Sequence, residues 1–207
     1  MILDASLWSA DLGALRSEVA AIGTFADSLH VDVADGHFAD SLLFFPDLIE
    51  SIRDAAAVPF HFHLMVEWPM PFLKVFGRPG DRVTVHAEAR HPAECLIILR
   101  GMGCGCGIAL KLESRLEKLD PLLPLADSVL LLGTKVGVKG QGLDPSSCDR
   151  IRAVKQQHPG LPLYADGGIR RESVPLLREA GADAVVPGSL FFGNSDRASV
   201  SDWIRSL

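Results

Sequence analysis

His30-Val31-Asp32-Val33-Ala34-Asp35-Gly36-His37-Phe38 reads as a strand that runs into a loop. Residues two apart on a strand share a face. His30 and Asp32 therefore project together, while Val31 and Val33 pack on the other side. One imidazole then stands beside one carboxylate at a strand end. Solvated side chains at a polar strand end are the plain alternative, and the rest of the chain decides between the two.

Working outward, the same strand-then-helix unit recurs. Ile2 to Leu7 is a short apolar strand, and Leu12, Leu15, Val19 and Ile22 give Asp11 to Ile22 helical spacing. Ser28 to Val33 is the second strand; Pro46 then opens a helix at a position that suits proline. Strands follow at 59–66, 82–86, 106–111, 128–132, 161–165 and 184–186. They alternate with helices at 70–76, 91–100, 115–123, 145–157, 171–180 and 198–204. Strands that are apolar throughout are buried on both faces, which argues for a parallel sheet, and eight strands can close. The expected fold is α/β, a single (β/α)8 barrel over 1–207, with an open doubly wound sheet as the competing architecture. Pro187 is tolerable because it follows the last strand. No low-complexity linker or shift in composition divides the chain.

The 207 residues are 48% hydrophobic, yet no apolar run approaches a membrane span. Met1-Ile2-Leu3-Asp4 carries no export signal, so a cytoplasmic protein is expected. A net charge of −6 offers no broad basic surface, so neither nucleic acid nor a membrane is expected as a partner. Cys95, Cys104, Cys106 and Cys148 lack paired metal-site spacing and are read as reduced and structural.

In a closed barrel the reactive groups gather at the C-terminal strand ends. Those ends carry Ser6, His30, Asp32, His63 and Asp166. Two imidazoles and two carboxylates meeting at one rim match the ligand set of a divalent Zn, Mn, Fe or Co ion. His61 shares the face of His63 deeper in the barrel and has no assigned role, while His86-Ala87-Glu88 offers outer support or solvated rim residues. Asp166-Gly167-Gly168 and Gly188-Ser189 follow the last two strands, where such barrels bind phosphate on loop amides. The segment Gly133 to Gly142, with Gly137 and Gly140 inside it, reads as a lid over the pocket mouth or as a flexible surface loop.

These motifs, in this order, resemble the ribulose-phosphate 3-epimerase family nearly end to end. The matching residues are Ser6-Leu7-Trp8-Ser9-Ala10-Asp11, His30-Val31-Asp32 with Asp35-Gly36-His37-Phe38, His63-Leu64-Met65, His86-Ala87-Glu88, Asp166-Gly167-Gly168, and Gly181-Ala182-Asp183 leading to Gly188-Ser189. The resemblance implies a barrel of the ribulose-phosphate-binding type. It also implies one divalent metal held by His30, Asp32, His63 and Asp166, with Asp32 and Asp166 as the two acid/base groups. Ser6, His63, Met65 and the lid glycines Gly137 and Gly140 would face the substrate, and Gly167, Gly168, Gly188 and Ser189 its phosphate. The implied partner is a phosphorylated ketose, and a homo-oligomer is expected. Inverting a carbon beside a carbonyl needs a base on each side of it. Strands carrying Asp32 and Asp166 would lie three steps apart, roughly 135° around an even ring.

Some positions depart from the family pattern. Ala34 and Leu132 stand where the family carries methionine, the lid reads Lys135-Val136-Gly137-Val138-Lys139-Gly140-Gln141, and Ala39-Asp40-Ser41 replaces the usual continuation of the second-strand loop. The ligand positions keep the chemistry while the pocket walls change. The leading reading is D-ribulose 5-phosphate to D-xylulose 5-phosphate. Its rivals are a 3-epimerase of allulose 6-phosphate or a tetrulose phosphate, a decarboxylase or aldolase using Lys111, and a sugar-phosphate binder without catalysis.

Overall fold

The structure, a computed structural model, describes residues 1–23 and 25–207. Eight parallel strands close into a barrel: β1 (Ile2–Ser6), β2 (Ser28–Asp35), β4 (Phe60–Met65), β5 (Arg82–His86), β6 (Gly105–Leu110), β7 (Ser128–Leu132), β8 (Leu163–Asp166) and β9 (Ala184–Val186). Closure is made by β1, which pairs with β2 on one side and β9 on the other. The short β3 (Leu42–Leu43) runs antiparallel to the end of β2, with Ala34 opposite Leu43. The described α-helices are α1 (Leu15–Ile22), α2 (Pro46–Arg53), α3 (Met70–Phe76), α4 (Pro92–Gly101), α5 (Ser147–Gln157), α6 (Ser173–Ala180), α7 (Ser189–Phe192) and α8 (Arg197–Ser206).

Period-two alternation divides the apolar residues into two cores. Outward side chains such as Leu3, Val31, Val33, Phe62, Leu64 and Val85 form the large cluster beneath the helices. Inward ones, among them Ala34, Met65, Ala109, Leu130, Leu132, Tyr164 and Ala184, form a smaller cluster inside the ring. The inner face of β1, β2, β4 and β5 is polar instead, carrying Asp4, Ser6, His30, Asp32, His61, His63, Thr84 and His86, all buried. Burying so many polar groups is costly unless each finds a partner. The ladder supplies those partners, because Asp32 is in register with His63 and His30 with His61.

Two expectations need correction. The helix expected over Arg115 to Leu123 is instead two 3-10 turns, Leu116–Lys118 and Leu123–Leu125. Pro121 and Pro124 explain this, since each lacks an N–H donor and disfavours helical backbone in the residue before it. The first helix begins at Leu15 rather than Asp11. A 3-10 turn over Leu12–Ala14 precedes it, capped by the Asp11 carboxylate, which accepts from the Gly13 N–H.

Candidate active site

Strand ends bring His30, Asp32, His63 and Asp166 to one point on the barrel axis, where one ligand atom from each lies within 4.8 Å of the others. His30 Nε2 is 3.3 Å from Asp32 Oδ1 and 3.8 Å from Asp166 Oδ2, and His63 Nδ1 is 3.1 and 3.5 Å from the same two carboxylates. In a tetrahedral shell with bonds of about 2.1 Å, neighbouring ligand atoms stand about 3.4 Å apart. The four separations bracket that value. His30 Nε2 is also a buried nitrogen with no hydrogen-bond partner among the described residues, since its approach to Asp32 lacks hydrogen-bond direction.

Side chains behind the centre decide which nitrogens face it. Asp4 Oδ2 accepts from His30 Nδ1 at 2.9 Å, which leaves Nε2 as the nitrogen turned inward. On the other side, His63 Nε2 lies 2.8 Å from His86 Nε2, and His86 Nδ1 lies 3.2 Å from Glu88 Oε2. Burial works to raise the Glu88 carboxyl, but the His86 imidazole outweighs it and brings it down to about 2, so Glu88 is an anion that accepts. His86, pushed down to about 4 by burial, is neutral. It therefore donates to Glu88 from Nδ1 and accepts from His63 at Nε2, which leaves His63 Nδ1 turned toward the carboxylates.

Burial also works to raise the Asp32 carboxyl, yet the His30 and His63 imidazoles hold it well below the usual carboxylate range. Burial works to lower the His30 and His63 imidazoles, yet the carboxylates beside them hold both above the ordinary imidazole value, so the two carboxylates call for positive charge here, supplied by protons on the rings or by a cation in their place. A mixed nitrogen and oxygen donor set of this size fits a divalent transition ion.

A cavity opens above the centre. Of the residues expected there, Ser6, Asp32, Met65, Gly137, Gly140, Asp166, Gly167, Gly168, Gly188 and Ser189 line it. His30 and His63 are fully buried and stand behind the carboxylates rather than in the wall. Ser6 Oγ donates to Asp32 Oδ2 at 3.1 Å. The Asp166 side chain is 16% exposed against 5% for Asp32, so both carboxylates are largely withdrawn from water. Lys111 is directed elsewhere, with Nζ 3.4 Å from the Phe38 carbonyl oxygen and 3.7 Å from the centre of its ring.

The glycine-rich lid is tied across the cavity at three points. Lys139 Nζ donates to the Trp8 carbonyl oxygen at 2.8 Å, Ser41 Oγ to that of Gly137 at 2.8 Å, and Arg170 Nη2 to that of Gly140 at 3.0 Å. Sequence reasoning missed Arg170 and the lining residue Val186, and gave no individual role to Ser9 or Thr134 within the motif and lid segment that contain them. Their spacing carries no period that distinguishes them from ordinary loop residues. It also passed over Asp4, although a carboxylate inside the apolar run Ile2-Leu3-Asp4-Ala5, two residues before Ser6, is itself a signal.

Residues 2–192 match the family model described as "Ribulose-phosphate 3 epimerase family". The chain belongs to the ribulose-phosphate 3-epimerase family. It is accordingly an isomerase of the epimerase type. Among relatives in this family, the ribulose-phosphate 3-epimerase of Bacillus subtilis is 33% identical, covering 97% of this chain and 96% of that one. The ribulose-phosphate 3-epimerase of Chlamydia muridarum is 34% identical, covering 93% and 88%. More distant solved structures share the fold. The 3-hexulose-6-phosphate synthase of Salmonella typhimurium aligns with a TM-score of 0.74 at 16% identity, covering 100% of this chain and 97% of that one. The 3-keto-L-gulonate-6-phosphate decarboxylase of Vibrio cholerae aligns at 0.70 and 14%, covering 100% and 95%.

Proposed function

We propose that this family member is a metal-dependent 3-epimerase of a ketose phosphate, interconverting D-ribulose 5-phosphate and D-xylulose 5-phosphate. The observation that carries this is the arrival of Asp32 and Asp166 at one cavity from strands three steps apart around the ring, β2, β1, β9 and β8. His30, Asp32, His63 and Asp166 would hold the divalent ion. When bound, that ion supplies Lewis-acid stabilisation of negative charge developing on the sugar oxygens.

This chain's own residues do the proton work. One of Asp32 and Asp166 removes the proton at C3 from one side of the substrate, giving a planar enediolate. The other returns a proton to the opposite side, and their roles exchange in the reverse direction. Ser6, hydrogen-bonded to Asp32, orients that carboxylate toward the substrate. Met65 and Leu132 give the pocket an apolar wall, and the tied lid excludes water. The backbone around Gly167, Gly168, Gly188 and Ser189 is placed to receive the phosphate.

Leu132 in the cavity wall, and Ala34 in the same inner apolar cluster as Leu132 and Met65, support a second reading, in which the ketose is a different one, such as allulose 6-phosphate or a tetrulose phosphate. The free thiols Cys95, Cys104, Cys106 and Cys148 suit a reaction in the reducing cytoplasm. The test is to incubate the metal-loaded protein with a panel of ketose phosphates in deuterated water and to follow C3 by NMR. Deuterium entering C3 of ribulose 5-phosphate, with xylulose 5-phosphate appearing, is the expected result. Absence of exchange with every sugar in the panel overturns the proposal.

A further inference from the structure

Asp4 and His61 lie below the proposed centre and are not part of it. Both are fully buried on the inner face of the barrel, on β1 and β4. A carboxylate and an imidazole placed so deep are costly unless other groups meet them. Every one of their polar atoms is met. Asp4 Oδ1 accepts from Ser28 Oγ at 2.5 Å, and Asp4 Oδ2 accepts from both His30 Nδ1 at 2.9 Å and His61 Nδ1 at 2.6 Å. His61 Nε2 in turn pairs with Thr84 Oγ1 at 2.7 Å. The space for Thr84 comes from Gly107 across the ladder, where a Cβ would stand 1.9 Å from Thr84 Oγ1.

We infer that Asp4 is a positioning residue for the metal centre: held by Ser28 and His61, it fixes His30 so that Nε2 faces Asp32 and Asp166. Donation from His30 Nδ1–H to Asp4 settles the tautomer of the neutral ring, because Nε2 is then the nitrogen left with a lone pair for a metal. The same bond settles the rotation of the ring, and Ser28 and His61 pin the carboxylate that receives it. Thr84, His61 and Asp4 thus form a connected column of hydrogen bonds that ends on one face of His30, and the proposed centre lies on the other. Outer partners of this kind commonly sustain metal affinity by a factor of 10 to 100. The column also gives His61 a role, as the group that keeps Asp4 in place.

This inference rests on the proposal that His30 ligates a metal, and the experiment separates the two. Wild-type protein, Asp4→Asn and His61→Gln are stripped of metal. They are then titrated with zinc against a chromophoric chelator, and with cobalt while the visible absorption is recorded. Circular dichroism checks that each variant is folded. Wild type is expected to bind one ion per chain, Asp4→Asn to bind it about 10 to 100 times more weakly with an altered cobalt spectrum, and His61→Gln to lose affinity by a smaller factor. Should Asp4→Asn fail to fold, His61→Gln carries the test. A folded variant with wild-type zinc affinity and an unchanged cobalt spectrum overturns the positioning role alone. Wild type that binds no ion overturns the metal centre and this inference together. Two ions per wild-type chain would put an ion among Asp4, His30 and His61, which also overturns it.

Discussion

Asp32 and His63 are register partners in the ladder between β2 and β4, and His63 Nδ1 lies 3.1 Å from Asp32 Oδ1. Partners in a parallel ladder point to the same face, so the pairing brings a carboxylate and an imidazole together without any loop having to fold correctly. Asp166 arrives from β8, on the far side of β1 and β9. The two carboxylates therefore sit on rigid strands, as the proposed proton transfer on two faces of one carbon demands.

Removing either carboxylate should break epimerisation while leaving half of its chemistry. Asp32→Asn and Asp166→Asn should each lower kcat by about 100-fold to 10,000-fold, the range expected for the loss of one acid/base group. With saturating metal, the remaining carboxylate should still exchange the C3 proton of one epimer with deuterated water, but not of both. NMR of the two pentulose phosphates in separate tubes reads this directly. Near-normal turnover in either variant contradicts the two-base assignment.

The lid offers a separable test. Gly137 sits at φ +71, and a Cβ there would stand 2.6 Å from Ala39 Cβ, so alanine is opposed both by backbone strain and by contact. Each of these costs on the order of 1 to 2 kcal/mol. The strain falls on the segment tied to Ser41 rather than on the barrel. Gly137→Ala should therefore raise KM several-fold for the preferred sugar and leave Tm nearly unchanged. A fall in Tm with an unaltered KM would place the lid's role in stability instead.

How far the site could be read from sequence depended on its elements. The strand ends were legible because period-two alternation assigns His30 and Asp32 to one face whatever the tertiary details, and eight such strands imply a ring. The stretch 115–123 misled because its leucines carry helical spacing while Pro121 removes a donor, and the proline prevailed. Asp4 stayed hidden for a different reason. A carboxylate in an apolar strand signals that something must meet it, but what it does follows only once Ser28, His30 and His61 are known to surround it, and those contacts come from neighbouring strands. Lid contacts such as Lys139 to Trp8 join residues far apart in the chain, and no local pattern announces them.

At the opposite end of the barrel, Asp81 is a structural counterpart to the two carboxylates proposed as acid/base groups. It accepts from Arg53 Nη1 at 2.8 Å and from the backbone N–H groups of Phe60 and Arg78 at 3.2 and 3.1 Å. The Arg53 guanidinium also lies over the Phe60 and Phe62 rings, at 5.0 and 5.6 Å. Asp81→Ala takes the nearest carboxylate from Arg53 and the acceptor from the buried Phe60 N–H and the part-buried Arg78 N–H, at a cost of about 3 kcal/mol. Tm should fall by roughly 6 to 12 °C, with kcat unchanged at a temperature where the variant is folded. A stable variant with impaired kcat would mean that this end of the barrel communicates with the cavity.

The cysteines give a prediction that depends on pH. Burial pushes the Cys95 and Cys106 thiols up to about 11, and Cys106 Sγ donates to the Leu96 carbonyl oxygen at 3.4 Å. The thiolate is the reactive form, so at pH 8 only about one in a thousand of either thiol would be nucleophilic even if reagent could reach it. Both are fully buried, which withholds the reagent as well. Cys104 is buried and likewise raised, whereas Cys148 is half-buried at the start of α5. Native protein at pH 8 should therefore show one fast equivalent with an aromatic disulfide reagent, and that phase should vanish in Cys148→Ser. Raising the pH to 9.5 should leave Cys95 and Cys106 silent, and guanidinium chloride should release all four thiols. A fast phase that survives in Cys148→Ser would mean that the sheath of helices around the barrel opens far more readily than its packing implies.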